Sequence, residues 1–370
     1  MLAYIIRRLL LMIPTLFGIM LLNFAFAQIM PGGPIEQLIA QLSGEGSVTE
    51  RFTGGGSETL EGSTPQTGSA TESDVTSRYR GARGLDPAFI KELEREFGFD
   101  KPAYERFFIM VKKYLVFDFG ESFFKGRPVV DIVLEKMPVS ISIGLWTTLI
   151  GYMVCIPLGI AKAVRDGSRF DMWTTTVITA GSAIPSFLFA VLLIVLFAGG
   201  RFFDWFPLRG LTSANWEELN WIEKAGDYFW HLTLPLLAMV IGSFASMTML
   251  VKNSFIDQLR SLYVSTARAK GLSERRVLYG HVFRNAMLIV IAGFPSAIVG
   301  IFFGSAFLIE TIFSLDGLGL LSYEAALKRD FPIMFGTLYF FTLLGLVMNL
   351  IGDLTYTVVD PRIDFEKRGT

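Results

Sequence analysis

The chain has 370 residues, 52% of them hydrophobic, and a formal net charge of −1 at pH 7. The balanced charge, without a basic arm or a zinc-type cluster, argues against a nucleic-acid-binding protein. Because Cys155 is the single cysteine, no intrachain disulfide can form. It lies in an apolar stretch, and the cysteine content does not indicate whether the compartment is oxidising or reducing.

Six long runs contain no Asp, Glu, Lys, Arg or His, and the shortest has 20 residues. At a rise of ~1.5 Å per residue, such a run spans about 30 Å, which is the thickness of the bilayer's hydrocarbon core. The pattern predicts an all-α integral membrane protein with six transmembrane helices. The runs are residues 9–30, 137–161, 172–200, 232–251, 285–309 and 331–352.

The short loops between the runs differ in charge. Residues 252–285 carry seven Lys or Arg against two acidic residues, whereas residues 201–231 carry five acidic residues against three basic ones. Because Lys and Arg accumulate on the cytoplasmic side, the 252–285 loop and both termini are predicted to be cytoplasmic. Residues 31–136 are then external.

The external segment 31–136 is predicted to have two parts. Residues 43–81 are rich in Gly, Ser and Thr, which predicts a flexible insertion. Residues 84–125 are predicted to form a small helical subdomain, with one helix capped by Asp86 and a second, amphipathic helix from about Tyr104 to Val116. The other divisions are residues 1–30 (N-terminus and first helix), 137–353 (five-helix core) and 354–370 (cytoplasmic tail).

Four of the six tryptophans fall in the acidic 201–231 loop. We favour an interfacial aromatic belt as the explanation. The alternative is a docking surface for an external partner.

Motifs for catalysis or energy conversion are missing from the sequence. There is no G-x-x-x-x-G-K-[ST] and no H-E-x-x-H, and the runs lack the titratable groups that ion-driven carriers use. Glu310 and Asp353 lie at the ends of runs and are predicted to be solvated. The energy for any uphill transport is therefore expected to come from another polypeptide, although a sodium site of backbone carbonyls remains open.

The 252–285 loop has a regular pattern. Tyr263, Ala267 and Gly271 recur at a spacing of four, which would place small residues on one helical stripe where another protein could approach. Gly271 is predicted to stop this helix in the left-handed conformation, and Ser273 to cap the next helix, with Glu274 in its first turn. A solvated basic loop is the alternative explanation.

The segments T-A-R-A-K-G at 266–271 and H-V-F-R-N-A at 281–286 resemble the cytoplasmic "EAA" loop of binding-protein-dependent ABC transporter permeases. The sequence differs from the general motif at Ser265, Thr266 and Arg284, and these departures are similar to the dipeptide and oligopeptide branch. "FDFGES" at 117–122 and "IFSLDGLG" at 312–319 also look like that branch, including importers of oligopeptides and microcin-C-like antibiotics. The ATPase-coupling residues implied by the resemblance are Tyr263, Thr266, Ala267, Arg268, Ala269, Lys270, Gly271, His281, Arg284 and Asn285.

The resemblance implies a type I ABC importer permease in a bacterial inner membrane, without catalytic residues, metal or cofactor of its own. It further implies a second permease subunit forming a heterodimer, ATP-binding cassette subunits that use ATP and Mg, a periplasmic solute-binding protein, membrane lipid around the helices, and no nucleic acid. Three alternatives remain at this point: a self-contained ion-coupled transporter, a related permease for nickel or glutathione, and a membrane enzyme.

Prolines interrupt the first five runs, and they predict either hinges or fixed kinks that shape the packing. The candidates are Pro14, Pro157, Pro185, Pro235 and Pro295. Pro185, Ser186, Pro235 and Pro295 are candidates for a translocation path or hinge. Gly300 and Gly304 have the small-xxx-small spacing of a helix-packing contact.

Overall fold

The computed structural model describes residues 2–29, 101–200, 202–303 and 306–359. These residues form helices, with one isolated β-bridge between Glu121 and Pro128. The helices are α1 (Leu2–Ile29), α2 (Ala103–Leu115), α3 (Val129–Val164), α4 (Arg169–Ser182), α5 (Ser186–Phe197), α6 (Trp221–Leu259), α7 (Leu262–Ala269), α8 (Glu274–Val277), α9 (Phe283–Phe303), α10 (Ala306–Ile312), α11 (Leu318–Lys328) and α12 (Phe331–Val359).

Within the described ranges, five helical segments are long and apolar enough to cross a membrane, and α4 with α5 provides a sixth span if this bent pair is counted as one. The third run is therefore not one continuous helix. It bends by 88° at the break between Ser182 and Ser186. Pro185 explains the break, because proline lacks an N–H donor and disfavours helical backbone in the residue before it.

The other predicted hinge prolines do not break their helices. Pro14 lies inside α1, Pro157 inside α3 and Pro235 inside α6, and Pro295 falls within α9. Neighbouring helices can compensate for the lost donor within a membrane protein. Of the five candidates, Pro185 alone coincides with a break among the described residues.

One compact unit contains residues 1–10, 135–321 and 341–370. Its central element is α6, which has 39 residues and packs against α4, α5, α9 and α10. The backbones of α3 and α6 approach closely at Gly159, where an added Cβ would lie 2.7 Å from Val251 Cβ. A buried apolar core at this end includes Ile160, Val251, Phe255 and Val264.

The second unit contains residues 11–134 and 322–340. Phe107 of α2 packs edge-on against Phe17 and Phe24 of α1, both with ring centroids 5.4 Å apart. The buried Asp330 accepts hydrogen bonds from the Ser122 hydroxyl at 2.5 Å and the Phe123 N–H at 3.4 Å. These contacts fix the loop after α2 to the residue that precedes α12.

The bounds of α2 confirm the helix predicted at about Tyr104 to Val116. Burial in this unit raises the pKa of the Tyr114 hydroxyl, which lies near the end of that helix. The predicted insertion at 43–81, the Asp86 helix and Gly304 lie outside the described residues, and of Gly300 only the helical backbone is described.

Candidate functional site

The turn after α7 has the geometry that the sequence predicts. Gly271 has a φ of +79°, its N–H donates to the Arg268 carbonyl at 2.9 Å, and the N–H of Leu272 donates to the Ala267 carbonyl at 3.4 Å. This pair of bonds is a Schellman motif, in which glycine at C′ adopts the left-handed conformation. The prediction of a left-handed helix stop at Gly271 is confirmed.

The predicted start of α8 is confirmed in position: Ser273 is the N-cap residue, in an extended conformation, and Glu274 lies in the first turn. The side chain of Ser273 makes no capping hydrogen bond, so that part of the prediction is wrong. Glu274 instead accepts two hydrogen bonds from the Arg268 guanidinium, at 2.8 and 3.1 Å. This ion pair raises the pKa of Arg268 and ties the end of α7 to the start of α8. A π-helical turn, Leu278–Val282, then leads into α9.

One small residue of the predicted stripe, Ala267, does not face outward as expected. Ala267 is only 6% exposed and shares an apolar core with Val264, Phe255 and Val277 of the same chain. Tyr263 is half-buried, and its hydroxyl donates to Gln258 Oε1 at 3.0 Å. The small side chain of Ala267 thus lets α7 approach its own chain. It does not open the backbone to another protein.

The opposite side of α7 is the exposed one. Leu262 is 86% exposed, and Ser265, Thr266 and Ala269 lie on the same side at helical spacing. We call these four residues the knob face. The sequence analysis did not single out Leu262. It lies two positions before Val264 in α7, and residues two apart point to different sides of a helix. The remaining loop candidates are also exposed: Arg268, Lys270, Gly271, His281, Arg284 and Asn285.

Three buried charged residues lie where this loop meets the apolar helices. Lys162 of α3 is 0% exposed and forms an ion pair with Asp171 of α4, with Lys162 Nζ 3.0 Å from Asp171 Oδ1. Lys252 of α6 pairs with the other carboxylate oxygen at 2.6 Å. We call Lys162, Asp171 and Lys252 the buried ion cluster.

The sequence analysis counted Lys252 among the charges of the 252–285 loop, and it predicted burial for none of Lys162, Asp171 and Lys252. A signal was present: Lys162 directly follows the run 137–161, Asp171 directly precedes 172–200, and Lys252 directly follows 232–251. All three therefore stand at the same boundary. The helices continue beyond the apolar runs, so the charges lie within α3, α4 and α6.

A cavity of about 870 Å³ lies at the α4–α5 break. Pro185 and Ser186 line it, as the sequence predicts for a path, whereas Pro235 is buried inside α6. The side chain of Pro295 is not described, but Ala297 of α9 is in the lining. The other described residues that line the cavity are uncharged: Thr147, Thr148, Gly151, Tyr152, Ser182, Ile184, Met239, Gly242, Ser243, Ser246, Met247 and Leu250.

The prediction that Glu310 is solvated is wrong, whereas Asp353 is partly exposed, as predicted. Glu310 is 0% exposed, and its carboxylate accepts hydrogen bonds from the Ser140 hydroxyl at 2.9 Å and the Leu320 N–H at 2.8 Å. Burial raises the pKa of Glu310. Asp353 forms an ion pair with Arg8 at 2.5 Å and accepts a hydrogen bond from the Tyr4 hydroxyl at 2.9 Å.

Comparison with known proteins agrees with the pattern of the 266–286 segments. The profile of the family "Binding-protein-dependent transport system inner membrane component" matches residues 155–365. The chain is 60% identical over 367 residues to the peptidoglycan transport system permease protein YejB of Agrobacterium fabrum, covering 99% of both chains. It is 58% identical over 367 residues to the inner membrane ABC transporter permease protein YejB of Escherichia coli O157:H7, covering 99% of this chain and 100% of the relative.

A more distant relative is the oligopeptide transport system permease protein AppB of Bacillus subtilis, with 31% identity over 366 residues, 99% of this chain and 100% of the relative. These relatives are permease subunits and not enzymes, and separate subunits of such transporters hydrolyse ATP. The chain is therefore an inner-membrane permease subunit of an ABC importer. It belongs to the family of binding-protein-dependent transport system inner membrane components, and its full-length relatives at 58–60% identity are YejB permeases.

Proposed function

We propose that this chain forms one half of a path through which oligopeptides or peptide-like compounds enter the cell by alternating access. A second permease subunit completes the path, ATP-binding cassette subunits bind ATP and Mg, and an external solute-binding protein delivers the cargo. The names of the relatives, which specify oligopeptide and peptidoglycan transport, support a peptide-containing cargo.

The observation that carries this proposal is the uncharged, hydroxyl-bearing lining of the cavity at the α4–α5 break. The hydroxyls of Ser182, Ser243 and Ser246 donate to backbone carbonyls of their own helices, at 3.0 to 3.1 Å. Their oxygen lone pairs remain available to accept hydrogen bonds. Peptide N–H groups are donors that every peptide shares, whatever its side chains. Met239 and Met247 add flexible apolar surface that adapts to varied shapes.

The knob face supports coupling to the ATP-binding subunits. By the charge bias of the loops, α7 lies on the cytoplasmic side. Leu262 there is a large apolar side chain exposed to solvent, flanked by small residues that permit close approach. A partner surface that buries Leu262 removes apolar area from water. The predicted coupling function thus falls on Leu262, Ser265, Thr266 and Ala269.

The cavity is tested by filling it. Ser246→Phe places a ring at an exposed position of the lining, so peptide uptake by cells that carry this variant should fall several-fold or more with normal amounts of transporter. Thr176→Phe is the matched control, because Thr176 is exposed on α4 but does not line the cavity. Uptake of radiolabelled neutral, acidic and basic tripeptides, a muropeptide and a microcin-C-like compound is measured. Equal uptake of all of them with and without this chain would refute the proposal.

The docking surface is tested by adding a charge. Leu262→Asp should release the ATP-binding subunits during purification, whereas Ser273→Asp adds the same charge at an exposed site outside the knob face and should retain them. Substitutions of Gly271 are poor probes, since its φ of +79° strains any L side chain and confounds docking with folding. Normal co-purification with Leu262→Asp would place the docking surface elsewhere.

A further inference from the structure

We propose that Lys162, Asp171 and Lys252 are positioning residues for transport, which make the start of α4 and the α7 end of α6 move as one body. This inference rests on the proposed function in one respect, namely that motion enters at α7 and must reach the cavity. The buried ion cluster lies between these two places, and the structure assigns contacts on both sides of it.

The ammonium group of Lys162 fixes the end of α3 to the first turns of α4. It donates to the Asp171 carbonyl at 2.9 Å, to Thr174 Oγ1 at 2.8 Å and to Thr175 Oγ1 at 2.6 Å. These three bonds use all three N–H donors of a lysine. The ion pair with the Asp171 carboxylate adds to them. Every one of these partners belongs to α4.

The Asp171 carboxylate carries the connection onward to α6. Its Oδ2 accepts hydrogen bonds from Lys252 Nζ at 2.6 Å and from the Gly167 N–H at 3.2 Å. Lys252 also pairs with Asp166 at 3.0 Å. One carboxylate thus joins two lysines on two other helices. Pulling the helices apart would leave buried charges without partners, which is costly, so the joint resists separation.

On the loop side, the cluster is continuous with α7. Val251 directly precedes Lys252 on α6, and Phe255 follows it three positions later. Both share a buried apolar core with Val264 and Ala267 of α7. A displacement of the knob face is therefore transmitted to the α6 segment that holds Lys252. Packed interiors transmit such displacements because they have few voids.

On the cavity side, α4 leads from Asp171 to the helix break. The helix has 14 residues, and its last residue, Ser182, lines the cavity together with Ile184 and Pro185. Gly181 of α4 faces Ile241 of α6, since an added Cβ would lie 3.4 Å from the end of that side chain, an ordinary van der Waals distance. A movement of the first turn of α4 is thus carried along a rigid rod of about 20 Å to the wall of the cavity.

The test measures whether α4 and the α7 end of α6 move together. Spin labels replace Thr176 on α4 and Asp257 on α6, both exposed and outside the knob face, in the complete transporter with Cys155→Ala, and distances are recorded without nucleotide and with ATP bound. The unmodified cluster should give the same narrow distance in both states. Lys252→Met, which leaves the neutral Lys162–Asp171 pair, should make that distance nucleotide-dependent or broad. The control Lys136→Gln with Asp316→Asn removes an ion pair outside the cluster and should change nothing.

A triple variant separates positioning from simple stabilisation. Lys162→Met, Asp171→Leu and Lys252→Met together leave no unpaired buried charge, since Asp166, which loses Lys252, is 44% exposed. The protein should therefore fold, because apolar residues can replace a buried ion network without loss of stability. We expect it to hydrolyse ATP with at least a several-fold drop in cargo taken up per ATP.

The inference is overturned if Lys252→Met keeps the distance between Thr176 and Asp257 invariant, if that distance already changes with ATP in the unmodified protein, or if the folded triple variant transports with normal stoichiometry. Failure of the unmodified transporter to take up any peptide would instead refute the proposed function, since the distance measurement needs no cargo.

Discussion

Two buried carboxylates in the same compact unit are accommodated in different ways. Asp171 lies between two ammonium groups, Lys162 from α3 and Lys252 from α6. Glu310 accepts hydrogen bonds from the Ser140 hydroxyl and the N–H of Leu320. Its carboxylate lies close to Gly317 and Gly319. Opposite charges stabilise the buried Asp171, whereas neutral hydrogen-bond donors stabilise Glu310 and the neighbouring glycines leave room for its carboxylate.

The difference lies in the charge of the partners and not in their distance along the chain. Asp171 pairs with one lysine nine positions away and with another 81 positions away, whereas Glu310 accepts from a backbone N–H ten positions away and from a hydroxyl 170 positions away. A charged pair between distant helices remains strong because burial weakens solvent screening. Among the described residues, Glu310 has neutral hydrogen-bond donors and no cation beside it, and burial raises its pKa because it disfavours the ionised form. Each substitution below tests one side of this contrast.

The largest effect is expected for Asp171→Leu. Removing this carboxylate leaves two buried ammonium groups without their shared partner, and breaking a buried ion pair on one side costs about 3–5 kcal/mol. Thermal unfolding of the purified transporter in detergent should show the loss. Asp316→Leu is the control, because Asp316 pairs with Lys136 but is 63% exposed. Equal melting of the two variants would mean that the cluster contributes no more than a surface pair.

A smaller loss is expected for Gly159→Ala, which tests the close approach of α3 and α6 beside the cluster. The new Cβ would lie 2.7 Å from Val251 Cβ and 2.9 Å from the Thr248 carbonyl oxygen. Because the backbone must shift, we expect a loss of about 1–3 kcal/mol, typical of overpacking. Gly151→Ala, on the same helix with nothing within 4 Å, is the matched control and should melt like the unmodified protein.

Gly317→Ala tests the space around Glu310. The added Cβ would lie 2.5 Å from Glu310 Oε1 and 2.7 Å from Oε2, so the carboxylate must leave its donors or the turn must open. The expected loss is about 1–2 kcal/mol, since a side chain yields more easily than a backbone. Gly293→Ala, with nothing within 4 Å, is the control. Combining Gly317→Ala with Glu310→Ala should restore part of the stability, and a purely additive loss would contradict the clash.

The contrast also shows how far the sequence could lead. The apolar runs, the left-handed stop at Gly271 and the lining role of Pro185 follow from local rules of hydropathy and backbone conformation. Local rules do not predict which face of α7 points outward, because both sides of the helix contain an aliphatic and a small residue. One side has Val264 with Ala267, and the other has Leu262 with Thr266. The choice depends on where α6 and α8 lie. The pairing of Asp171 likewise requires knowledge that three apolar runs end side by side.

The smallest effect is the pH dependence that Glu310 contributes. The folded protein raises the pKa of this carboxyl above the ordinary value of about 4.3, so the folded state holds the proton more tightly than the unfolded state. The resulting stabilisation is complete below the unfolded pKa and is lost as the pH rises through the folded pKa. Glu310→Gln cannot ionise, and its amide oxygen can still accept from the Leu320 N–H. Relative to this variant, the unmodified protein should therefore lose melting temperature as the pH rises from 4.5 to 8. Parallel melting curves across that range would show that Glu310 holds its proton equally in the folded and unfolded states.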